Sequence, residues 1–310
     1  MDVFVTGATG VLGRPVVRLL VAEGHRVRAL ARSTSNDQLL ARLGAQPVRG
    51  DLFDPTSLAA AVAGSGAVLH LATRIPPRGK AANPGAWAEN NRIRAEGTRN
   101  LVDATLAAGA STLLYPGICF IYGDGGDAWI DAEAATVDAG PALASTLAAE
   151  EEVGRFTGAG GRGIVLRMGY FYGPEAESSL DTLALARRGA AVLAGPGDAF
   201  YPSVWVDDAA AAVLNALHSA PSGTYDVVDD EPLARRELAR AVADAAGRPF
   251  VLRPPMWLLK LVGGAQTEFM GRSQRVSNRR FKAATGWAPT VPDAREGWHR
   301  IAAALRQPQS

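Results

Sequence analysis

The feature that most constrains this chain is a set of three glycines, each separated by two residues, directly after a short apolar run near the N-terminus. Residues Val3–Thr6 have the β-branched and aromatic pattern of a strand, and residues 12–23 have the periodicity of a helix. Glycine permits a tight turn between the two and lets bare backbone N–H groups approach a pyrophosphate. The pattern therefore predicts a dinucleotide site. Its predicted contacts are Gly7, Thr9, Gly10, Val11, Leu12, Gly13 and Arg14.

Composition disfavours several other classes of function. The chain has 310 residues, 47% of them hydrophobic and 20% charged, and its formal net charge is +1, so it has no field to attract nucleic acid or an anionic membrane. Its single cysteine allows no internal disulfide, and no apolar run is long enough to span a bilayer. We expect a cytoplasmic protein that acts on a small-molecule substrate, without a metal, because metal-ligand spacing is absent. The oligomeric state stays open, with a homodimer as one option.

Strand-like and helix-like segments alternate through the first half of the chain. This alternation predicts an α/β fold, a Rossmann-like doubly wound parallel sheet whose ligand lies beyond the carboxyl ends of the strands. After Gly169 the elements become shorter and are separated by Gly-Pro turns. We expect a dinucleotide-binding domain over 1–168 and a smaller C-terminal substrate-binding lobe over 169–310, with interleaving of the two as the alternative. The predicted strands are Val3–Thr6, Arg26–Leu30, Pro47–Arg49, Val68–Leu71, Thr112–Tyr115 and Ile164–Arg167, and the predicted helices are Leu12–Glu23, Asp37–Leu43, Pro55–Ala63, Trp87–Ala108 and Pro141–Phe156.

Further short motifs extend along most of the chain. They are G-D-L at 50–52, H-L-A at 70–72, E-G-T-R-N-L at 96–101, L-R-M-G-Y-F-Y-G-P at 166–174 and V-D-D at 206–208. With these motifs the chain resembles an atypical or extended short-chain dehydrogenase/reductase of the NAD-dependent epimerase/dehydratase family. The resemblance implies that Asp51 and Leu52 flank the adenine and that Leu71 and Ala72 lie beside the nicotinamide-side ribose. For Asp51, a cap on the following turn is the alternative.

The end of the second predicted strand bears on the choice of cofactor. An acidic residue there would hold the ribose 2′-hydroxyl of NAD, but this chain has Ala31 followed by Arg32. Arg14 adds a second guanidinium at the glycine turn, and guanidinium groups suit a 2′-phosphate. We therefore predict NADP, with NAD as the alternative and a solvated strand-end role as the other interpretation of Arg32.

The resemblance also shows which catalytic groups are missing. Members of the family use a Tyr-x-x-x-Lys pair and a Ser or Thr hydroxyl, and these three positions fall on Ala142, Thr146 and Ile118. Three hypotheses follow. The protein is an NADP(H)-dependent oxidoreductase that acts on a small aromatic or apolar carbonyl compound through a non-standard site; it is a redox-neutral lyase, isomerase or cyclase; or it is a non-catalytic NADP-responsive binding protein.

Other residues are candidates to replace the missing groups. Cys119 follows the lost hydroxyl position, and Tyr122 and Tyr170 lie after strand ends, so each is a candidate proton donor, with a buried core role as the alternative. The acidic, glycine-rich segment 124–133 is interpreted as a lid or a solvated turn, and His70 as a sheet residue. Aromatic side chains predict a flat, apolar substrate cleft, with core packing as the alternative. The predicted substrate-binding residues are Trp129, Tyr170, Phe171 and Trp205.

Overall fold

The computed structural model describes residues 1–191, 193–254, 257 and 269–306. Short strands alternate with helices along the chain, and the helical segment after residue 84 also contains a π-helical turn, Ile93–Gly97. The strands are β1 Asp2–Thr6, β2 Arg26–Ala31, β3 Gln46–Arg49, β4 Ala67–His70, β5 Thr112–Ile118, β6 Trp129–Ile130, β7 Arg162–Met168, β8 Tyr170–Tyr172, β9 Phe200–Tyr201, β10 Ser203–Trp205, β11 Gly223–Val227, β12 Leu233–Ala234 and β13 Arg275–Val276. The α-helices are α1 Gly13–Ala22, α2 Thr34–Arg42, α3 Pro55–Val62, α4 Ala88–Arg92, α5 Thr98–Ala107, α6 Gly140–Gly158, α7 Glu177–Arg187, α8 Val206–Ser219, α9 Arg235–Ala245, α10 Arg279–Thr285 and α11 Ala294–Ala304.

The centre of the fold is a seven-stranded sheet with the order β11-β7-β5-β4-β1-β2-β3. All of its neighbouring pairs are parallel. The strand order reverses between β1 and β4, and in open sheets of this kind the ligand crevice lies outside the carboxyl ends of the strands at that point. The predicted doubly wound Rossmann-like sheet is confirmed.

Apolar side chains on alternate sides of the strands bury both faces of the sheet. Val3 and Val5 pack into the layer formed with α1 and α8, whereas Phe4, between them, packs into the layer formed with α3, α5 and α6. This alternation is the two-residue period of a strand. The two helical layers hold the strand ends rigidly, which positions the loops that follow them.

The predicted strands and helices match the observed ones to within a few residues, with one informative exception. Asp54 caps α3, since its carboxylate accepts from the Thr56 N–H at 3.0 Å. The predicted helix Trp87–Ala108 is broken into a 3-10 turn, α4, the π-helical turn Ile93–Gly97 and α5. π-Helical turns inside α-helices are frequent at functional sites.

The C-terminal part of the chain contributes to both regions of the fold. β11 is an edge strand of the central sheet and α8 covers one face of it, so the parts before and after residue 168 are interleaved. The remaining elements form a lobe with three small two-stranded sheets, β8 with β10, β9 with β12 and β6 with β13. The V-D-D motif links α8, which covers the central sheet, to the segment before α11, because the buried Asp208 carboxylate accepts from the N–H groups of Thr290 and Val291 at 2.8 and 2.9 Å.

Candidate active site

The glycine turn has the shape that a dinucleotide phosphate requires. Gly7 has φ +71°, a left-handed conformation, and a β-carbon there would clash with the backbone of Leu71 and Ala72. A β-carbon on Gly13 would clash with the Gly7 carbonyl, whereas one on Gly10 would meet only that carbonyl at 3.2 Å. The first and third glycines are therefore needed for packing, and the second keeps the open side of the turn clear.

The N-terminus of α1 is prepared for an anion. Its N-cap is Leu12, which makes no side-chain cap, so no side chain competes with a ligand at this end of the helix, although the Arg14 N–H donates to the Gly10 carbonyl at 3.1 Å. The Nε of Arg14 is buried and lacks a hydrogen-bond partner within the described part of the chain. A cradle that excludes β-carbons, an uncapped helix and an unpartnered guanidinium nitrogen together fit a dinucleotide phosphate.

The other predicted cofactor residues border the same groove. Leu71 and Ala72 follow β4 and touch the glycine turn, and Leu52 lies against the π-helical turn at Gly97. One carboxylate oxygen of Asp51 accepts from the Phe53 N–H at 2.9 Å. Asp51 thus caps the next turn locally, as the alternative interpretation expected, and its contact with adenine stays a prediction.

At the end of β2, Arg32 faces the first turn of helix α4. Its guanidinium lies 3.7 Å from the Glu89 carboxylate, and Glu89 also lies 3.6 Å from Arg74. The Arg32 side chain is 58% exposed, so this ion pair is weak and gives way to a stronger anion at little cost. No acidic residue occupies positions 31–33.

The catalytic positions inferred from the resemblance fall together beside the strand ends. Ala142 and Thr146 are one turn apart on α6, and Ile118 is the last residue of β5. Ala142 and Ile118 carry only apolar side chains, and Thr146 is fully buried. None of the three presents an acidic proton to the groove.

A residue that the sequence analysis missed occupies the space beside Thr146. Arg94, in the π-helical turn, is 5% exposed, and its Nη1 donates to Thr146 Oγ1. Its Nε has no hydrogen-bond partner, and no carboxylate among the described residues lies within ion-pair distance. A buried permanent cation thus lies beside Thr146, the position predicted for the lysine. The available signal was an arginine three residues beyond Asn90-Asn91 in a predicted helix, and helical periodicity alone assigns such a residue to the surface.

Arg94 belongs to a cluster of buried polar groups at the end of β4. His70 accepts or donates a hydrogen bond with Thr6 Oγ1 at 2.7 Å, and its ring lies 5.9 Å from that of Tyr115. Burial, with a smaller contribution from the Arg94 charge, lowers the pKa of His70 from 6.5 to about 4. The His70 ring also contacts the Ile93 backbone, and the Tyr115 hydroxyl is buried without a partner in the described structure. His70 is a neutral sheet residue at neutral pH.

The structure places Cys119 and Tyr122 in the interior, which argues against their predicted catalytic roles. Both side chains are fully buried. The Tyr122 hydroxyl donates to Asp226 at 2.6 Å and accepts from Arg167 at 3.1 Å, and Arg167 also pairs with Glu150 at 2.7 Å. Burial raises the pKa of the Tyr122 phenol and of the Cys119 thiol, so both stay protonated. This network anchors the loop after β5 to the sheet.

Tyr170 is the predicted catalytic residue that lies in a partly buried aromatic cluster. Its ring centroid is 5.7 Å from that of Tyr201, which lies 5.6 Å from that of Phe120. Leu143 and Leu147, which flank Thr146 on α6, pack in the same cluster. The cluster therefore adjoins the inferred catalytic positions.

The other predicted substrate residues are divided among different places. Phe171 packs on the core layer of α1 and α8, and Trp205 is 7% exposed and packs edge-on against Tyr172 at 5.5 Å. Trp129 is 41% exposed and lines a separate surface cavity of 570 Å³ with Phe200 and Arg275. Because Phe200 and Tyr201 are consecutive in β9, their side chains point to opposite faces, so this cavity lies on the other side of the strand from Tyr170. The four residues predicted to line one substrate cleft therefore do not line a common cleft in the structure.

Away from this groove, the described residues contain one further group of chemical interest. Ligand atoms of Glu23, His25 and His218 lie within 4.8 Å of one another near the C-terminal ends of α1 and α8. This is the edge of the sheet opposite the glycine turn, so the group is separate from the cofactor site. Among the described helices, none combines the length and the apolar character needed to cross a bilayer.

Comparison with known proteins identifies the family. The model of the NAD dependent epimerase/dehydratase family matches residues 3–228. A 3-diazoavenalumate denitrifying reductase from a Streptomyces species is 34% identical over 314 residues, covering 97% of this chain and 100% of the relative. A 2-alkyl-3-oxoalkanoate reductase from Stenotrophomonas maltophilia is 31% identical over 269 residues, covering 81% of this chain and 77% of the relative. A crystal structure of a human epimerase family protein with NADPH superposes with TM-score 0.80 at 23% identity over 98% of this chain and 99% of the other.

The chain belongs to the NAD dependent epimerase/dehydratase family. The fold and the resemblance predicted from the sequence are confirmed. The family and the reductase relatives make it an oxidoreductase-like enzyme with a nicotinamide-cofactor site, so the non-catalytic alternative is disfavoured.

Proposed function

We propose that this protein is an NADP(H)-preferring reductase that removes dinitrogen from a small aromatic compound carrying a diazo or diazonium group. The observation that carries the proposal is that Ala142, Thr146 and Ile118 provide no proton donor at the positions where the family has one. The reductase that is 34% identical over nearly the whole chain is named for a diazo compound and for denitrification. A reaction that needs no proton donor would explain both the missing catalytic groups and the similarity to this reductase.

The chemistry of the two substrate classes differs on this point. Hydride addition to a ketone leaves an alkoxide that must be protonated, and a positioned acid supplies about 10²- to 10⁴-fold in rate. A reduced nicotinamide held at the glycine turn would supply a hydride; exchange of this hydride for the nitrogen of an arenediazonium forms the carbon–hydrogen bond and breaks the carbon–nitrogen bond, whose electron pair leaves with dinitrogen. No proton is consumed in this reaction, so the absence of the tyrosine and lysine does not slow the hydride step.

The residues of this chain then have orienting roles. The glycine turn and α1 hold the phosphates, while Phe120, Tyr170 and Tyr201 offer flat apolar surface for an aromatic ring. Positioning within about 3 to 3.5 Å of the reacting atom is the main requirement of hydride transfer. The partly buried Ile118 and the buried Phe120 lie beside the strand ends and limit the access of water to the reacting carbon.

The NADP preference rests on Arg32 and Arg14. Arg32 follows β2 and Arg14 lies at the glycine turn, no carboxylate occupies positions 31–33, and among the described residues the ion-pair partner of Arg32 is Glu89, in an exposed pair. A charge-assisted bond to a 2′-phosphate contributes about 1.5 to 3 kcal/mol. We therefore expect Arg32→Ala to weaken NADPH binding by about ten- to a hundredfold and to leave NADH binding unchanged. Arg42→Ala, on the exposed side of α2, is the matched control; equal affinity of the unmodified protein for both cofactors would overturn the preference.

Reduction of a small aromatic or apolar carbonyl compound is the second candidate. It is favoured by the 2-alkyl-3-oxoalkanoate reductase relative and by the exposed part of Tyr170, the predicted proton donor that adjoins the groove. In this case Tyr170 is required, whereas in the diazo reaction it only contacts the ring.

An isotope experiment separates the candidates. The protein is incubated with NADPH deuterated at the transferred position and with diazotised 3-amino-4-hydroxycinnamate, and an incubation without protein measures the spontaneous reaction. We expect one deuterium at the carbon that carried nitrogen and one dinitrogen released for each NADPH consumed. Deuterium transfer to aryl ketones without acceleration of the diazonium reaction would overturn the first proposal and support the second.

A further inference from the structure

Arg94 is a buried cation whose surroundings do not neutralise it. It is 5% exposed, its described hydrogen bond goes to the neutral Thr146 hydroxyl, and no carboxylate of the described residues pairs with it. A buried charge without a counter-ion costs several kcal/mol. By contrast Arg167, which is equally buried in the same region, has both Glu150 oxygens as partners at 3.1 and 2.7 Å. The fold therefore neutralises one of these guanidinium groups and leaves the other uncompensated.

The position of Arg94 links it to the reaction groove. It follows α4 in the π-helical turn, which adds a residue to the helix and turns the side chain toward α6 and the end of β4. Thr146, its partner, lies between Leu143 and Leu147, which pack with Phe120 and Tyr170. On its other side is His70, whose next residues, Leu71 and Ala72, touch the glycine turn. Arg94 thus lies between the cofactor cradle and the aromatic cluster.

Resting on the proposed reductase function, we propose that Arg94 is the substrate-binding residue that receives an anionic oxygen of the substrate, a carboxylate or a phenolate, beside the reacting carbon. A guanidinium has five donors, of which Thr146 uses one, and its planar fork suits an oxyanion. A neutral ribose hydroxyl would leave the charge uncompensated, whereas an oxyanion neutralises it. Three other buried polar atoms have no partner among the described residues, and they lie on Asn90 and Thr98, four residues before and after Arg94, and on Tyr115 of β5.

This assignment restricts the chemistry that the site performs. Arginine stays protonated in proteins, so Arg94 stabilises negative charge without donating a proton. It therefore does not replace the acid of the family, but it does favour substrates that carry an oxyanion before or after hydride transfer. A diazotised hydroxycinnamate carries both a phenol oxygen and a carboxylate, and the same cation suits either group.

The test measures binding rather than turnover, so its failure and a failure of the proposed reaction are distinguishable. Calorimetric titrations of the NADP⁺-loaded protein compare 4-hydroxycinnamate with the neutral 4-hydroxycinnamamide. A second arm uses 4-nitrophenol, whose visible absorbance reports whether the bound phenol has been ionised. We expect the anion to bind about tenfold or more tightly than its neutral counterpart in at least one arm, and the arm that responds identifies the oxyanion.

Variants decide whether Arg94 is responsible. Arg94→Met should abolish the preference for the anion and Arg94→Lys should retain part of it, while Arg92→Met, on the exposed side of the same segment, should leave it unchanged. Because a buried charge is replaced by an apolar side chain, Arg94→Met should also unfold at a higher temperature. If that variant does not fold, Arg94→Gln keeps the hydrogen bond to Thr146 without the charge. Equal binding of anion and neutral probe in both arms, or a preference that persists in Arg94→Met, would overturn the proposal.

Discussion

His70 provides a quantitative test of how the strand ends are buried. Its imidazole is fully buried between Thr6, Tyr115, Arg94 and the backbone of Ile93, and burial lowers its pKa from 6.5 to about 4. In the unfolded chain the same imidazole titrates near 6.5. Below that pH the unfolded state binds a proton that the folded state excludes. His70 therefore costs stability as the pH falls from about 6.5 to about 4.

The magnitude follows from the same numbers. One pKa unit corresponds to about 1.4 kcal/mol, so the full difference for His70 is about 3 kcal/mol, reached near pH 4. Replacement by asparagine removes the titration and preserves a hydrogen-bond partner for Thr6. We therefore expect the free energy of unfolding of the unmodified protein to fall by about 2 kcal/mol more than that of His70→Asn between pH 6.5 and 5.

The assay is urea unfolding at a series of pH values, with His299→Asn, an exposed histidine, as the control. The carboxylates titrate in every variant. The difference between the unmodified protein and His70→Asn in the pH dependence of the unfolding free energy therefore isolates the contribution of His70. Nitrogen NMR spectra of the histidine rings measure the pKa of His70 directly. Arg94→Met should raise this pKa because the neighbouring positive charge is removed. A His70 that titrates above pH 6, or parallel stability curves for the protein and His70→Asn, would refute the reasoning.

Three further predictions concern the site and its support. The variant Ala142→Tyr with Thr146→Lys restores the missing pair but sets an ammonium group against Arg94, so we expect it to lose about 2 to 4 kcal/mol in urea unfolding, to recover when Arg94→Met is added, and only then to gain ketone reduction; a double variant as stable as the parent would contradict the placement of Arg94. Tyr170→Phe should change the rate of the diazonium reaction by less than about threefold, but it should reduce any ketone activity by about a hundredfold or more. An equal loss on both substrates would show that the Tyr170 hydroxyl positions the substrate ring and does not donate a proton. Asp208→Asn should cost about 2 to 4 kcal/mol in thermal or urea unfolding, because the amide nitrogen opposes an N–H of Thr290 or Val291, whereas Asp207→Asn should cost less than about 1 kcal/mol; similar losses in both would refute the joining role of Asp208.

The Rossmann half of the fold could be predicted because its local signals agree with its tertiary structure. Alternating apolar strands, the glycine spacing and the Asp54 cap each report interactions between residues close in the sequence. The C-terminal lobe could not be assigned in the same way. Its strands β9, β12 and β13 are two residues long and are defined by partners far away in the chain, so they have no periodicity of their own.

The candidate site divides along the same line. The geometry of the glycine turn was predictable since it depends on one short segment, whereas its contacts with a cofactor stay a prediction. The positions that lack the tyrosine and lysine were likewise read from one helix. The burial of Cys119 and Tyr122 was not, because it depends on Asp226 from β11 and on Arg167 and Glu150. Trp129 was misplaced for a similar reason: its position is fixed by pairing of β6 with β13, some 145 positions later in the chain.

Arg94 and Thr146 also bear on how this site relates to the rest of its family. A lysine at position 146 would place its ammonium group in the buried space that the Arg94 guanidinium occupies, and two such charges repel strongly where water is scarce. The small hydroxyl of Thr146 is what admits Arg94, and Ala142 leaves the neighbouring turn of α6 free of a phenol. A lysine at 146 and an arginine at 94 are therefore alternatives that this packing does not accommodate together. An uncharged side chain at 94 would stabilise the unliganded protein, and the cation found there is the charge that the proposed anionic substrate would neutralise.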